Sequence, residues 1–216
     1  MSKSKRKYSK QNGEGNKPEI NDRARLRSDG ESRHDVFISY SVKDKDFVQI
    51  LSNELKKNGR RAWVDLDDVQ PSEEWLKAIH SGIESADSFI FVISPDSIAS
   101  QYCNDELSHA YKHNKRQIPI LRREVGKQQL PHALASYKWI DFQEKRRFRS
   151  ALNSLINTLD VDLNHVREHT RILTRAIEWE TKRKNRSFLL RGSDLQEAET
   201  WLAQNGANKD PKPTQL

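Results

Sequence analysis

The stretch SPDSIASQYCNDELSHAYKHNK, Ser94 to Lys115, gathers side chains able to do chemistry: the carboxylate of Glu106, with Tyr102, Cys103, His109 and His113 around it. At helical spacing, Cys103, Leu107, Ala110 and Tyr111 make an apolar stripe. Glu106 borders that stripe and lies one turn after Tyr102, so its carboxylate can look into a cleft while its neighbours stay packed. Glu106, His109 and His113 also give E-x-x-H and H-x-x-x-H spacings. No H-E-x-x-H accompanies them, so the spacing reads as a solvated helix face, and no metal is expected. Cys103 is the only cysteine. It excludes an intramolecular disulfide framework and reads as a small buried hydrophobe.

Other elements must position that helix. HDVFISYS, RRAWVDLD, SFIFVIS, RQIPIL and YKWIDF are short apolar runs, and SFIFVIS is apolar throughout, as a strand covered on both faces should be. Between them lie amphipathic segments. One starts near Asp44, carries Phe47, Ile50, Leu51 and Leu55, and stops at Gly59. A second follows Ser72 with Trp75, Ile79 and Ile83 in register, and the Ser94 to Lys115 stretch is read as the third. RRFRSALNSLINTLD forms the last, with Phe148, Leu152, Leu155 and Leu159 inward. The link RREVGKQQLPHALAS gives the weakest helix signal. Strands alternating with helices, too far apart for hairpins, predict an α/β unit with a parallel sheet and helices on both faces.

That unit is expected over 33–160. Residues 1–32 read as a disordered basic tail, 161–206 as a helical extension or linker, and 207–216 as a disordered tail. Within the extension, Val166, Thr170, Leu173 and Ile177 make a stripe, SFLLRG reads as extended, and Ser193 with Gln196 forms a capping box that opens a helix ending at Gly206. Residues 1–33 hold ten Lys and Arg against five Asp and Glu, most of the formal net charge of +7. A cationic tail can touch polyanions, but with Tyr8 its only aromatic residue it offers no base-stacking surface, and nucleic acid is not the expected partner. The longest apolar run, Phe89 to Ile93, is far too short to span a membrane, and no apolar segment follows the basic N-terminus. A soluble, cytoplasmic chain is expected.

In an open parallel sheet, ligands sit beyond the carboxyl ends of the strands. The first strand presents Ser39, Tyr40 and Ser41 there, the second Asp65, and the third Ser94 and the path to Glu106. No G-x-G-x-x-G or G-x-x-x-x-G-K-[ST] loop is present to cradle phosphates. A receiver-like phosphoacceptor on such a sheet would want paired acids where this chain has SYS.

HDVFISYS, RAWVDLDDVQPSEEWLKAI, FIFVIS and SIASQYCNDELSHA, in that order and spacing, resemble the TIR (Toll/interleukin-1 receptor) domain, most closely its bacterial effector type. The resemblance implies a flavodoxin-like five-stranded sheet in the order 2-1-3-4-5. It implies NAD+ as substrate, with no cofactor, and cleavage to nicotinamide and ADP-ribose or a cyclic ADP-ribose. The family's catalytic carboxylate falls on Glu106 of YCNDE, where Tyr102 stands in place of the usual Trp. Ser39, Tyr40, Ser41, Lys43, Asp65, Trp75, Ser94 and Tyr102 are then substrate-binding candidates: Tyr40, Trp63 and Tyr102 for stacking, Lys43 for the pyrophosphate, and Asp65 with the loop to Trp75 for closure. The same residues have structural alternatives: core for Trp63 and Trp75, a turn former for Asp65, local caps for Ser39 and Ser94. The resemblance further implies self-association through the loop Leu66 to Glu74, a role in bacterial immune signalling, and, as the alternative to catalysis, a TIR–TIR interaction module.

Overall fold

The structure, a computed structural model, describes residues 34–64, 73–126, 131–205 and 209–215. The basic tail, Asp65 and the expected cap Ser72 lie outside the described residues. Five parallel strands, β1 (Val36–Ser39), β2 (Ala62–Trp63), β3 (Ser88–Ile93), β4 (Arg116–Leu121) and β5 (Ile140–Asp141), line up in the order β2-β1-β3-β4-β5, as expected. β3 is buried along its whole length. Its alternate residues feed two cores. Ile90 and Val92 join α1 (Lys45–Lys57) and α6 (Phe148–Asp160) on one face through Phe47, Val48, Leu51, Leu55, Leu152, Leu155 and Leu159. Phe89, Phe91 and Ile93 meet α2 (Glu73–Ser85) and α4 (Gln101–Lys112) on the other, through Ile79, Ile83, Cys103, Leu107 and Ala110. This is the period-2 geometry of a strand read on both sides.

Trp63 lies flat on Phe37, ring centroids 4.7 Å apart, so its ring belongs to the core. Gly82 permits this, because a Cβ there would stand 3.2 Å from the Trp63 ring and 3.3 Å from Phe37.

The third expected helix is two. α3 (Pro95–Ala99) is capped by Ser94, which accepts from Ser97 N while Ser97 Oγ accepts from Ser94 N. Ser100 then turns extended (φ −80°, ψ 120°) and caps α4 with its own hydroxyl. Two serine caps six residues apart therefore outweigh one continuous helix. The weak link contains α5 (His132–Ala135), a single turn.

α7 (Leu163–Thr181) and α8 (Gly192–Asn205) follow. SFLLRG opens inside a 3-10 turn, Arg186–Phe188, capped by Asn185, and turns extended only at Leu189. α8 starts at Gly192 in the left-handed region (φ 56°), one residue before the expected cap Ser193. α7 is fastened to the sheet unit. Arg116, buried in β4, donates to Ser88 Oγ and to the carbonyls of Leu159 and Val161 at the α6–α7 junction. Lys115 Nζ donates to Thr170 Oγ1 at 3.1 Å. Residues 211–214, expected to be loose, lie against this corner: Pro211 O meets His165 Nε2, Asn114 Nδ2 donates to Pro213 O, and Thr214 Oγ1 donates to His113 O.

The buried side of α7 includes His165 and His169 beside Trp201. His169 is 2% exposed. Burial, seconded by the charge of Lys115, lowers its pKa to about 3. The unfolded ring takes a proton near pH 6.5 and the folded ring only near 3. Stability is therefore expected to fall by about 1.4 kcal/mol per pH unit as pH drops through that window, from this group alone. Urea unfolding at stepped pH checks it: His169→Gln should flatten that slope.

Candidate functional site

Parallel register brings the carboxyl ends of β1, β3 and β4 to one edge, with Ser39 opposite Phe91 and Ile93 opposite Leu121. β1 ends short of β3's exit at Ser94, and the chain after Ser39 folds over that step. Ser41 caps a 3-10 turn, Val42–Asp44, by accepting from Lys43 N. The turn delivers Asp44, which is 4% exposed. Asp44 stands at the cap position of α1 but makes no side-chain cap bond there. Its carboxylate instead accepts from Ser94 Oγ at 2.6 Å and from Arg123 Nε and an Arg123 Nη, both at 3.0 Å. Arg123 continues to Asp96 at 2.6 Å, and Asp96 meets Lys43 at 2.7 Å. Hydrogen bonds from Lys43, then from Arg123, hold the Asp96 carboxyl below the usual range, and the bond to Asp44 raises the Arg123 guanidinium. A lattice of alternating charge thus joins the exits of β1, β3 and β4.

Glu106 belongs to α4, which packs against β1. It is half-buried. Its position shows in the Cys103 thiol: burial pushes that group up to about 11, the charges of Glu106 and Asp44 push the same way, and the hydroxyls of Ser100 and Ser39 oppose. Glu106, Asp44, Ser39 and Ser100 therefore all act on the buried Cys103. A thiol so displaced is no nucleophile near neutral pH. Ser39 is buried, and its hydroxyl has no hydrogen-bond partner of ordinary geometry among the described residues. Tyr102, 49% exposed, meets the half-buried Trp75 edge to face at 6.0 Å, giving an aromatic ledge beside Glu106.

Of the expected binding residues, Ser39, Tyr40, Ser41, Lys43 and Ser94 thus cluster at the edge, and Trp75 and Tyr102 pair beside it. Ser94 is fully buried with its hydroxyl committed to the cap and to Asp44. Tyr40 leans on the core. Asp65 lies outside the described residues. Sequence reading missed Asp44, Asp96 and Arg123. The first has the look of a helix cap. The other two flank strand exits, and the exit of the fourth strand, LRRE, is a signal that could have been used, since a parallel sheet brings it to the same edge.

The His109 and His113 face is not solvated. His113 is buried, and His109 Nε2 lies 2.9 Å from Glu84 Oε1 of α2. A cavity of about 760 Å³ between α7 and α8 is lined by Asp160, Asp162, Glu168 and Glu197, with Lys209. None of the edge residues lines it, and its acidic wall would repel a dinucleotide's pyrophosphate.

Replacing Arg123 by Met strips the buried Asp44 carboxylate of its guanidinium and leaves it the Ser94 hydroxyl. The expected cost is about 2 kcal/mol, at the lower end for a broken charged pair because the guanidinium is half-exposed. A double-mutant cycle with Asp44→Asn checks it: the Arg123 substitution should cost clearly less once Asp44→Asn is in place.

Residues 36–156, more than half of the chain, match the family described as TIR domain. A probable 2' cyclic ADP-D-ribose synthase, TcpO, from Methanobrevibacter olleyae is 31% identical over 99 residues, which are 44% of this chain and 29% of that protein. The 2' cyclic ADP-D-ribose synthase BtTIR of Bacteroides thetaiotaomicron is 28% identical over 133 residues, 59% of this chain and 43% of that protein. The chain spans less than half the length of these curated relatives. Among solved structures, the TIR domain of the Toll-related receptor TRR-2 from Hydra magnipapillata superposes with a TM-score of 0.50 at 24% identity, over 58% of this chain and 98% of that one, a likeness of fold. With its sheet order, its two faces of helices and its matched sequence span in agreement, the chain belongs to the TIR domain family.

Proposed function

We propose that this chain cleaves the bond between nicotinamide and ribose in NAD+, with Glu106 as the catalytic carboxylate. The observation that carries the reading is the half-buried Glu106 on α4, a helix packed against β1, the strand at whose carboxyl end a ligand of an open α/β sheet binds. The curated relatives named as 2' cyclic ADP-D-ribose synthases support the substrate class.

The chemistry asks little of the protein. Nicotinamide is bonded to C1″ through a cationic nitrogen, so it leaves neutral with the bonding electron pair and needs no general acid. The ribose carbon becomes cationic, and a carboxylate held close can bind the ribose hydroxyls and stabilise that charge. Water attacks C1″ and loses a proton, giving ADP-ribose; an intramolecular nucleophile in water's place gives a cyclic product. Tyr102 and Trp75 offer faces and edges for the rings. Arg123 and Lys43, each already bonded to a carboxylate, keep the edge from being uniformly anionic toward a pyrophosphate.

We place the activity in the cytoplasm, in bacterial immune signalling, with self-association of the domain raising turnover. Among the described residues no helix is long and apolar enough to cross a membrane. The other reading, a docking module without catalysis, predicts no nicotinamide at any protein concentration.

Mass spectrometry of the purified chain with NAD+, at low and high protein concentration, tests both. Free nicotinamide is expected, in a yield per molecule that rises with concentration. Glu106→Gln should lower turnover at least about 100-fold with an unchanged circular dichroism spectrum; equal turnover in that variant would defeat the assignment.

A further inference from the structure

On the side of α4 turned toward α2, two helices face each other with chelating pairs at i, i+4. α2 presents His80 and Glu84, and α4 presents His109 and His113. The His80 and His109 rings stack at 3.9 Å, only 6° from parallel, and His113 lies 4.3 Å from His109. One ligand atom from each of Glu84, His109 and His113 falls within 4.8 Å of the other two. Glu84 Oε1 and His109 Nε2 stand 2.9 Å apart.

We propose that Glu84, His109 and His113 form a binding site for a divalent transition-metal cation of the zinc type, bridging α2 and α4. The donor set, two imidazole nitrogens and one carboxylate oxygen, is one that zinc takes, leaving a fourth position for water. Tetrahedral ligands at about 2.1 Å from the ion stand about 3.4 Å apart. The closest edge is already shorter than that, and the widest, at most 4.8 Å, closes with about 1.4 Å of side-chain movement.

His113 is oriented for the task. Its Nδ1 bonds the His109 carbonyl at 2.9 Å, which leaves Nε2 with the lone pair. This is the outer contact that metal-binding histidines use to hold tautomer and ring angle. Burial lowers the pKa of His113 and of His80. The Glu84 and His109 side chains are 19% and 16% exposed, so an ion can reach them from solvent. The nearby Lys115 ammonium is turned away to the Glu84 carbonyl and Thr170. An ion here would clamp α4, the helix that carries Glu106 one turn before His109, to the helix that follows β2.

The intact chain, stripped with chelator, is titrated with cobalt(II) and then zinc. One equivalent of cobalt(II) should give visible absorption of a tetrahedral site, displaced by zinc, and zinc should raise the thermal midpoint by several degrees. Glu84→Gln and His113→Asn should each weaken binding at least about tenfold. Glu84 sits at the rim, so its variant keeps the test sharp even if the buried His113 variant fails to fold. Absence of one-to-one binding, or binding that survives Glu84→Gln unchanged because His165 and His169 or other groups carry it, overturns the site.

Discussion

A strand that is dry on both faces constrains everything else in this molecule. β3 carries Phe89, Phe91 and Ile93 to one core and Ile90 and Val92 to the other, and none of its side chains meets water. Its backbone groups must then be paired along both edges, by β1 and β4, because unpaired amides in so dry a place are costly. Each neighbour is reached by a helical crossover, and covering both faces puts α1 and α6 on one side and α2 and α4 on the other. The carboxyl ends of the strands converge as a consequence, without any local signal for it.

Convergence concentrates charge where the core ends. Asp44, Asp96, Lys43 and Arg123 come from three different connections, and they alternate in sign so that the buried Asp44 carboxylate has a hydroxyl and a guanidinium to satisfy it. A carboxylate in that position without such partners would bear the full desolvation penalty of its charge. With them, the strand exits end in a paired polar rim, while Glu106 and the Tyr102–Trp75 pair are carried by α4 and α2.

The segments after the sheet unit follow a different logic. α7 covers the amino-terminal end of the sheet region, and its contacts are polar as well as apolar: Arg116 reaches the α6–α7 junction, Lys115 reaches Thr170, and Arg167 lies 3.6 Å from Asp35 and from the buried Asp87. The apolar stripe of α7 was legible from its period. The histidines among its buried residues were not, because an imidazole stacked on Trp201 packs like an aromatic ring while the residue type reads as polar.

Residue order alone determined the alternation of strands and helices, the apolar third strand, and the placement of Ser39, Ser94 and Glu106 near strand exits. These depend on periodicity and on local capping, which act over a few residues. Resemblance supplied the strand order, which the structure shows. Tertiary structure decided what spacing cannot contain: that Ser100 breaks the Ser94 to Lys115 stretch so Glu106 rides on a second helix, that Arg123 finds Asp44 seventy-nine residues away, and that His109 and His113 meet Glu84 of another helix instead of solvent. Such encounters are set by the packing of distant elements, and a charge's partner is fixed only when the chain has closed around it.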